Sequence, residues 1–447
     1  METLHRRPSR ADKAYQREAL TVHQWDSEGE AVLAAFDGLI LMILKTKTLC
    51  AFFCAALLAA APVDAQVTAP REAAHIEFGT LAVYPTLQVL DAGIDSNVFN
   101  ETTDPTSDYT LTVASKVLSV LRLGSNELLL QAGNDYLWFH ETTSERSSNM
   151  NYAMRFNVSA SRFRPFFGTE YIKTRLRRTP EIDARARRVD RAMLAGMAFD
   201  LSPRTALTAS ARAEDVTYDD GEEFRNVELA EALNRLGRIA DAGVRYAVTP
   251  LTTLSVTAGY EEQHFTDSTF RNLKRYTVGP TFEFAPEAAI RGRVATALEL
   301  FKPDDAELQE QLGLTYLATV NWSLYGRTTF DLASGRNITY SYLDTDPYYL
   351  LTNVKLTITQ PLAGYFELYA GYSQEHMAYR WHLPADASVA EPDRVDVLKV
   401  ASGGVGVRLG RNVHVRIGVD RTRRRSVEEA LQNFDRTRIM SAVTVGS

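Results

Sequence analysis

The sequence predicts an all-β chain, a transmembrane antiparallel up-and-down β-barrel of roughly 18 strands (16–18) with short periplasmic turns and long extracellular loops. Three observations predict it. A short apolar run near residue 50 has the build of an export signal. After it, segments of about ten residues alternate apolar with polar side chains, as strands do that meet lipid on one face and water on the other. Short turns then alternate with long polar connections.

The export signal comes first. Lys45 and Lys47 precede the apolar run Leu49 to Ala61, which closes on Val63-Asp64-Ala65. The order is that of a signal peptide over 42–65, with cleavage between Ala65 and Gln66. The run is too short to cross a bilayer comfortably. Phe53 stands where a lipoprotein signal would need a small residue before Cys54. Residues 1–41 are polar and mixed in charge, and Met42 opens a conventional signal by itself. They are therefore expected to be a start-site artefact or a disordered extension, leaving 66–447 as the barrel with strands from about 81 to 446.

Composition narrows the chemistry. Cys50 and Cys54 are the only cysteines and both fall inside the signal, so thiol nucleophiles, thiolate metal sites and disulfides are excluded from the mature chain. The net charge of −7 does not suit nucleic-acid binding. After residue 65 there are 36 arginines against 6 lysines, so the cationic surface is almost wholly guanidinium. The chain is too polar on average for membrane helices, and no apolar run after the signal could form one. A barrel stays polar because only alternate residues meet lipid.

The alternation is legible in several places. Tyr152, Met154, Phe156, Val158 and Ala160 oppose Arg155, Asn157 and Ser159. Val413, Val415, Ile417 and Val419 oppose His414, Arg416, Gly418 and Asp420. Leu312 to Trp322 and Ile290 to Leu298 repeat the pattern, although a soluble sandwich alternates too. The turns discriminate. Short ones are expected at Gly124-Ser125-Asn126, Arg164-Pro165, Ser202-Pro203, Thr249-Pro250, Ala285-Pro286, Trp322-Ser323, Gln360-Pro361 and Gly410-Arg411-Asn412. Long connections are expected at 96–108, 140–148, 175–187, 218–235, 265–272, 303–311, 334–347, 378–393 and 423–435. Eight short turns join sixteen strands, and one more at each end gives the even number a single-chain bacterial barrel needs. Leu229–Asn234 reads as helical, and 394–409 is ambiguous because both faces carry apolar residues.

Several segments carry a resemblance. GIDSNVFNE (Gly93–Glu101), SDYTLTV (Ser107–Val113), EIDARARR (Glu181–Arg188), VTPLTTLSVTAGY (Val248–Tyr260) and RYTVGPTFEFAP (Arg275–Pro286) are similar to the putative β-barrel porin-2 family of outer-membrane proteins. The resemblance implies a barrel in the cell outer membrane. It also implies, for some relatives tied to exopolysaccharide operons, polymer export. No functional residue is carried over from the family. Many such barrels end in an aromatic residue read by the barrel-assembly machinery, whereas this chain ends VTVGS.

On the polar faces the arginines gather. Arg122, Arg155, Arg245, Arg291, Arg293, Glu299, Arg416 and Asp420 are expected to line the lumen, which in a barrel of this size holds water. One reading is an anion-favouring pore. The other is a wall braced by pairing with Glu170, Asp200, Glu283, Glu299 and Asp420. The basic run Arg175–Arg191 reads as a solvated loop tied by Arg–Asp pairs, or as a lumen constriction or a lipopolysaccharide contact. Asp219 to Glu223 is too irregular for a cation loop. His140, His264 and His376 lack zinc spacing, and no serine has a nucleophile elbow. No cofactor or metal is expected. Aromatic residues at strand ends (Tyr218, Tyr246, Tyr260, Tyr276, Trp322, Tyr325, Tyr348, Tyr365, Trp381) suggest interfacial girdles.

The expected function is a porin-like, non-catalytic channel for small hydrophilic solutes. The alternatives are an exopolysaccharide conduit and a plugged structural or adhesive barrel. Expected partners are outer-membrane lipid, lipopolysaccharide and the assembly machinery, with polysaccharide under the second reading and no nucleic acid.

Overall fold

Eighteen long strands follow one another in the computed structural model, each antiparallel to the next: β1 (Leu81–Asp95), β2 (Asp108–Leu123), β3 (Asn126–Phe139), β4 (Ser147–Asn157), β5 (Phe163–Thr174), β6 (Arg188–Ser202), β7 (Thr205–Tyr218), β8 (Arg235–Thr249), β9 (Thr252–Phe265), β10 (Leu273–Phe284), β11 (Ile290–Pro303), β12 (Gln311–Leu324), β13 (Thr328–Tyr340), β14 (Tyr348–Pro361), β15 (Phe366–Trp381), β16 (Val395–Leu409), β17 (Val413–Ser426) and β18 (Phe434–Gly446). The structure describes residues 76–447 apart from 178, 363, 382–393, 411, 427–431 and 447. The expected signal 42–65, its Ala65/Gln66 cleavage point and the expected extension 1–41 lie outside the described residues. A short strand, Ile76–Phe78, folds back onto Leu81–Val83.

Closure is direct. The first strand pairs with the last, from Thr86↔Gly446 to Asp95↔Arg438, so every long strand has two neighbours. Closing the sheet removes the edges that lipid could not hydrogen-bond. The first strand is bulged at Asp91, whose φ of 51° is left-handed, and pairing resumes beyond it at Gly93.

The side-chain alternation decides what each face meets. On β9, Leu254, Val256, Ala258 and Tyr260 point outward, whereas Thr253, Ser255, Thr257 and Glu261 point into the lumen. Large exposed apolar side chains such as Met193, Val256, Leu314, Ile417 and Ile439 form the outer band, as a lipid-facing wall requires. Tyr109 meets Trp138 and Tyr260 meets Tyr276 near the loop ends, and Trp322 stacks on Phe330 near the turn ends. These are two aromatic girdles. Tyr218 and Tyr348, expected in the girdles, are buried inside instead.

Two expected turns shift. Arg164-Pro165 lies within β5, and the chain reverses at residues 158–162 instead. The ladder between β4 and β5 ends at Asn157↔Phe166, so the donor that Pro165 lacks falls at the turn. Trp322-Ser323 is strand, and the reversal comes at Tyr325-Gly326, both at positive φ. Three long connections are shorter than expected because β13, β15 and β17 run on to Tyr340, Trp381 and Ser426. Residues 395–409 form an ordinary strand. Leu229–Leu233 is one helical turn (α1), buried rather than exposed.

Candidate functional site: the lumen and its loop closure

The register places Arg122, Arg155, Arg245, Arg291, Arg293, Glu299, Arg416 and Asp420 on the inward face. Acidic groups share that face with them. Arg275 sits between Glu261 (2.9 Å) and Glu299 (3.0 Å). Arg416, Arg408 and His414 converge on Glu367 at 2.7, 3.1 and 2.9 Å. Asp420 is met by Arg438 at 2.7 Å, Glu170 by Arg212 at 2.9 Å, and Asp200 by Arg164 at 2.5 Å. Arg155 lies over the Phe166 ring at 3.9 Å and donates to Asn157. Arg291 donates to Asn321 and Ser323. Nearest the turns, Arg122 is exposed. Much of the inward face thus carries paired charges, while Arg155 and Arg291 meet neutral partners.

A cavity of about 720 Å³ opens among β7 to β13, floored by the turn residues Pro250 and Pro286. Hydroxyls line it (Thr208, Ser210, Ser255, Thr257, Thr281), with Arg245 and Glu283 among them.

At the loop end the mouth is covered. The basic segment 175–187 leaves β5, yet Glu181 is bonded to the far wall. It accepts from Ser341 Oγ (2.5 Å) and from Tyr379 OH on β15 (3.0 Å), and the Tyr342 amide donates to its second oxygen (3.3 Å). Arg424 of β17 donates to the Pro180 carbonyl at 3.0 Å and to Asp396 at 2.8 Å, and also to Gln432. The segment therefore crosses the mouth instead of standing in solvent. Arg177 pairs with Asp183 inside the segment at 2.8 Å, whereas Arg175 and Arg185 reach Glu145 of the β3–β4 loop at 3.3 and 3.8 Å. Beside it, Leu229 and Leu233 of α1 pack with Ile182, Tyr218, Phe265 and Tyr342 in an apolar layer.

The β13–β14 hairpin completes the cover. Ile338, Tyr348 and Leu350 would face outward by alternation. They are buried against Leu273 and Phe301, inward residues of β10 and β11. The hairpin tip has bent into the lumen. Arg275 donates to the Ile338 carbonyl at 2.8 Å, Arg235 lies 4.0 Å over the Tyr340 ring, and the fully buried Arg271 holds the Ser341 and Tyr342 carbonyls.

Two of the segments quoted above meet here. Asn100 donates to Asp183 at 2.6 Å, and Arg177 donates to the Val98 carbonyl at 2.7 Å. Asn97 exchanges hydrogen bonds with the Glu101 backbone, and Arg436 clamps Asp95. Sequence reasoning missed Glu181, Arg424, Glu367 and Arg438 as site residues, although Glu181 opens one of the quoted segments.

A comparison with family models matches residues 69–447 to "Putative beta-barrel porin 2". The chain belongs to that family. It is a porin-like β-barrel of the outer membrane, set in lipid. Solved structures that resemble this porin-2 barrel include several from Pseudomonas aeruginosa. OccK3 (OpdO) is 12% identical, with a TM-score of 0.44, over 81% of this chain and 96% of that one. OccK2 (OpdF) with glucuronate is 13% identical, with a TM-score of 0.45, over 81% and 98%. OpdK with vanillate is 12% identical, with a TM-score of 0.43, over 82% and 99%. No curated protein matches.

Burial pushes the Glu181 carboxyl of this porin-2 barrel up to about 7 from its ordinary 4.5, against the bonds from Ser341 and Tyr379 that favour ionisation. The closed loop thus holds a proton that an exposed Glu181 would release. Its contribution to closure is complete below pH 4.5 and fades as pH rises through 7. Amide exchange in 175–187 is expected to quicken between pH 5 and pH 8, beyond the intrinsic pH effect. In Glu181→Gln the extra acceleration should vanish.

Proposed function

We propose that the barrel is a passive, non-catalytic channel for small hydrophilic solutes, with its outer mouth closed. The observation that carries this reading is the hydroxyl-lined cavity among β7 to β13. An 18-stranded wall encloses a lumen wide enough for water. His414 is taken up by Glu367 beside two guanidiniums, an arrangement that braces the wall and activates no nucleophile. Most inward arginines have carboxylate partners, which supports weak charge selectivity in place of a strong anion filter. Inward rings do not form a sugar slide: Phe166 is covered by Arg155 and Tyr369 lies under Arg416 at 5.2 Å. That weighs against polymer export.

Single-channel recording in a planar bilayer tests the proposal. Stepwise conductance with a small reversal potential in a salt gradient is expected. Steep cation preference would refute any role for the guanidiniums as an anion path. Silence at every pH and voltage, with the barrel inserted, would leave a plugged structural barrel as the function.

A further inference from the structure

The wall is not zipped along its whole height. Pairing of β12 with β13 stops at Tyr316↔Arg336. Yet β12 stays paired to β11 as far as Phe301↔Gln311, and β13 to β14 as far as Tyr340↔Tyr348. The residues that would continue the ladder, Leu312–Thr315 and Asn337–Tyr340, are parted because the β13–β14 hairpin has bent inward. Arg275 occupies the Ile338 carbonyl from the lumen side.

The seam lies at membrane height. Leu312 pairs with Leu300, which pairs with Tyr276 and so with Tyr260, the aromatic girdle of the loop side. One step lower, Leu314 opposes Leu298 and then Val278, and Leu314 is half exposed to the outer band. An unpaired strand edge at this depth is costly unless polar groups reach it. The same 720 Å³ cavity supplies such a route, since it runs from Pro250 up to both lips, Tyr316 on one side and Arg336 and Asn337 on the other. Space is free there: a Cβ at Gly313 would meet nothing within 4 Å.

We propose that the lumen opens sideways between β12 and β13 into the outer leaflet, and that this portal passes a single-chain amphiphile with an anionic head. The head, carboxylate or phosphate, travels in the hydroxyl-lined cavity and meets the Arg336 guanidinium at the lip. The acyl chain leaves through the seam beside Leu314. The covered mouth makes this the path with no loop layer to displace. The inference rests on the lumen being a conduit, but it concerns a different exit.

The mature chain has no cysteine, so single cysteines report cleanly. Asn337→Cys in the reconstituted protein, with Cys50 and Cys54 changed to serine, should react with a lipid-borne maleimide, whereas Ser255→Cys on the same background, deep in the lumen, should react only with a water-soluble one. Release of fluorescent acyl carboxylate, acyl phosphate and neutral acyl alcohol of equal chain length is then compared in liposomes. Both anionic probes should pass and the alcohol should not, and if only one passes, the head is assigned to it. Arg336→Gln should slow the anionic probes about tenfold, the size of one charge-assisted hydrogen bond. Gly313→Phe should block them while small-ion conductance persists. An unreactive Asn337→Cys, or unchanged probe flux in a Gly313→Phe barrel that retains conductance, overturns the portal without touching the channel reading. Loss of all conductance in the wild type overturns the channel reading, and lipid-borne labelling still reports the portal.

Discussion

Arg424→Ala should convert a closed barrel into one that conducts readily. The Arg424 guanidinium is 2% exposed and binds four partners at once: Asp396, Gln432 and the carbonyls of Pro180 and Glu181. Removing one member of such a buried polar cluster costs about 3 kcal/mol or more, because the groups left behind have lost water and gained no partner. The eighteen strand ladders do not depend on Arg424, so the loss falls on the loop layer. A penalty of that size shifts the closed-to-open ratio by about 100-fold. The expected record is a several-fold rise in mean bilayer conductance, with unchanged heat-modifiable gel mobility as proof of an intact barrel. Wild-type conductance from an intact Arg424→Ala barrel would mean that segment 175–187 does not obstruct the path.

The second large effect separates the two faces of one strand. Val256→Arg places a guanidinium on the outward face, where Val256 is half exposed in the apolar band. Its cost near the bilayer midplane is about 2–4 kcal/mol. Ser255→Arg, one residue earlier, enters the lumen opposite Arg245 and meets water. Urea titration of folding into lipid vesicles should show the first variant destabilised by that amount and the second near wild type. Ser255→Arg should instead shift the reversal potential toward anions, since it adds a cation beside Arg245. Equal destabilisation of both would mean that the two faces meet the same solvent, and the barrel reading would fail.

Why the sequence carried the wall so well follows from period. A strand that separates lipid from water must alternate, and the alternation of Val413 to Val419 against His414 to Asp420 is visible without a structure. The two misplaced turns share a cause. Pro165 and Ser323 are turn-forming residues by type, but each sits where a strand end tolerates it, and the reversal was set a few residues away by Ser161 and Gly326 at positive φ. Segment 175–187 misled for a different reason. Its arginines read as solvated because sequence cannot see Glu145, Asn100 or Arg424 arriving from other strands to receive it. Tyr218 and Tyr348 failed as girdle residues because α1 and the bent hairpin bury them.

By itself, the sequence determined the class and the approximate strand number, because local alternation and turn chemistry are written residue by residue. Only the tertiary structure decided that the mouth is covered, that the inward arginines are mostly paired, and that β12 and β13 part near the girdle. Each of those depends on contacts between different strands or loops, from Arg416 with Glu367 to Glu181 with Tyr379, and no local pattern encodes which strand a side chain will meet.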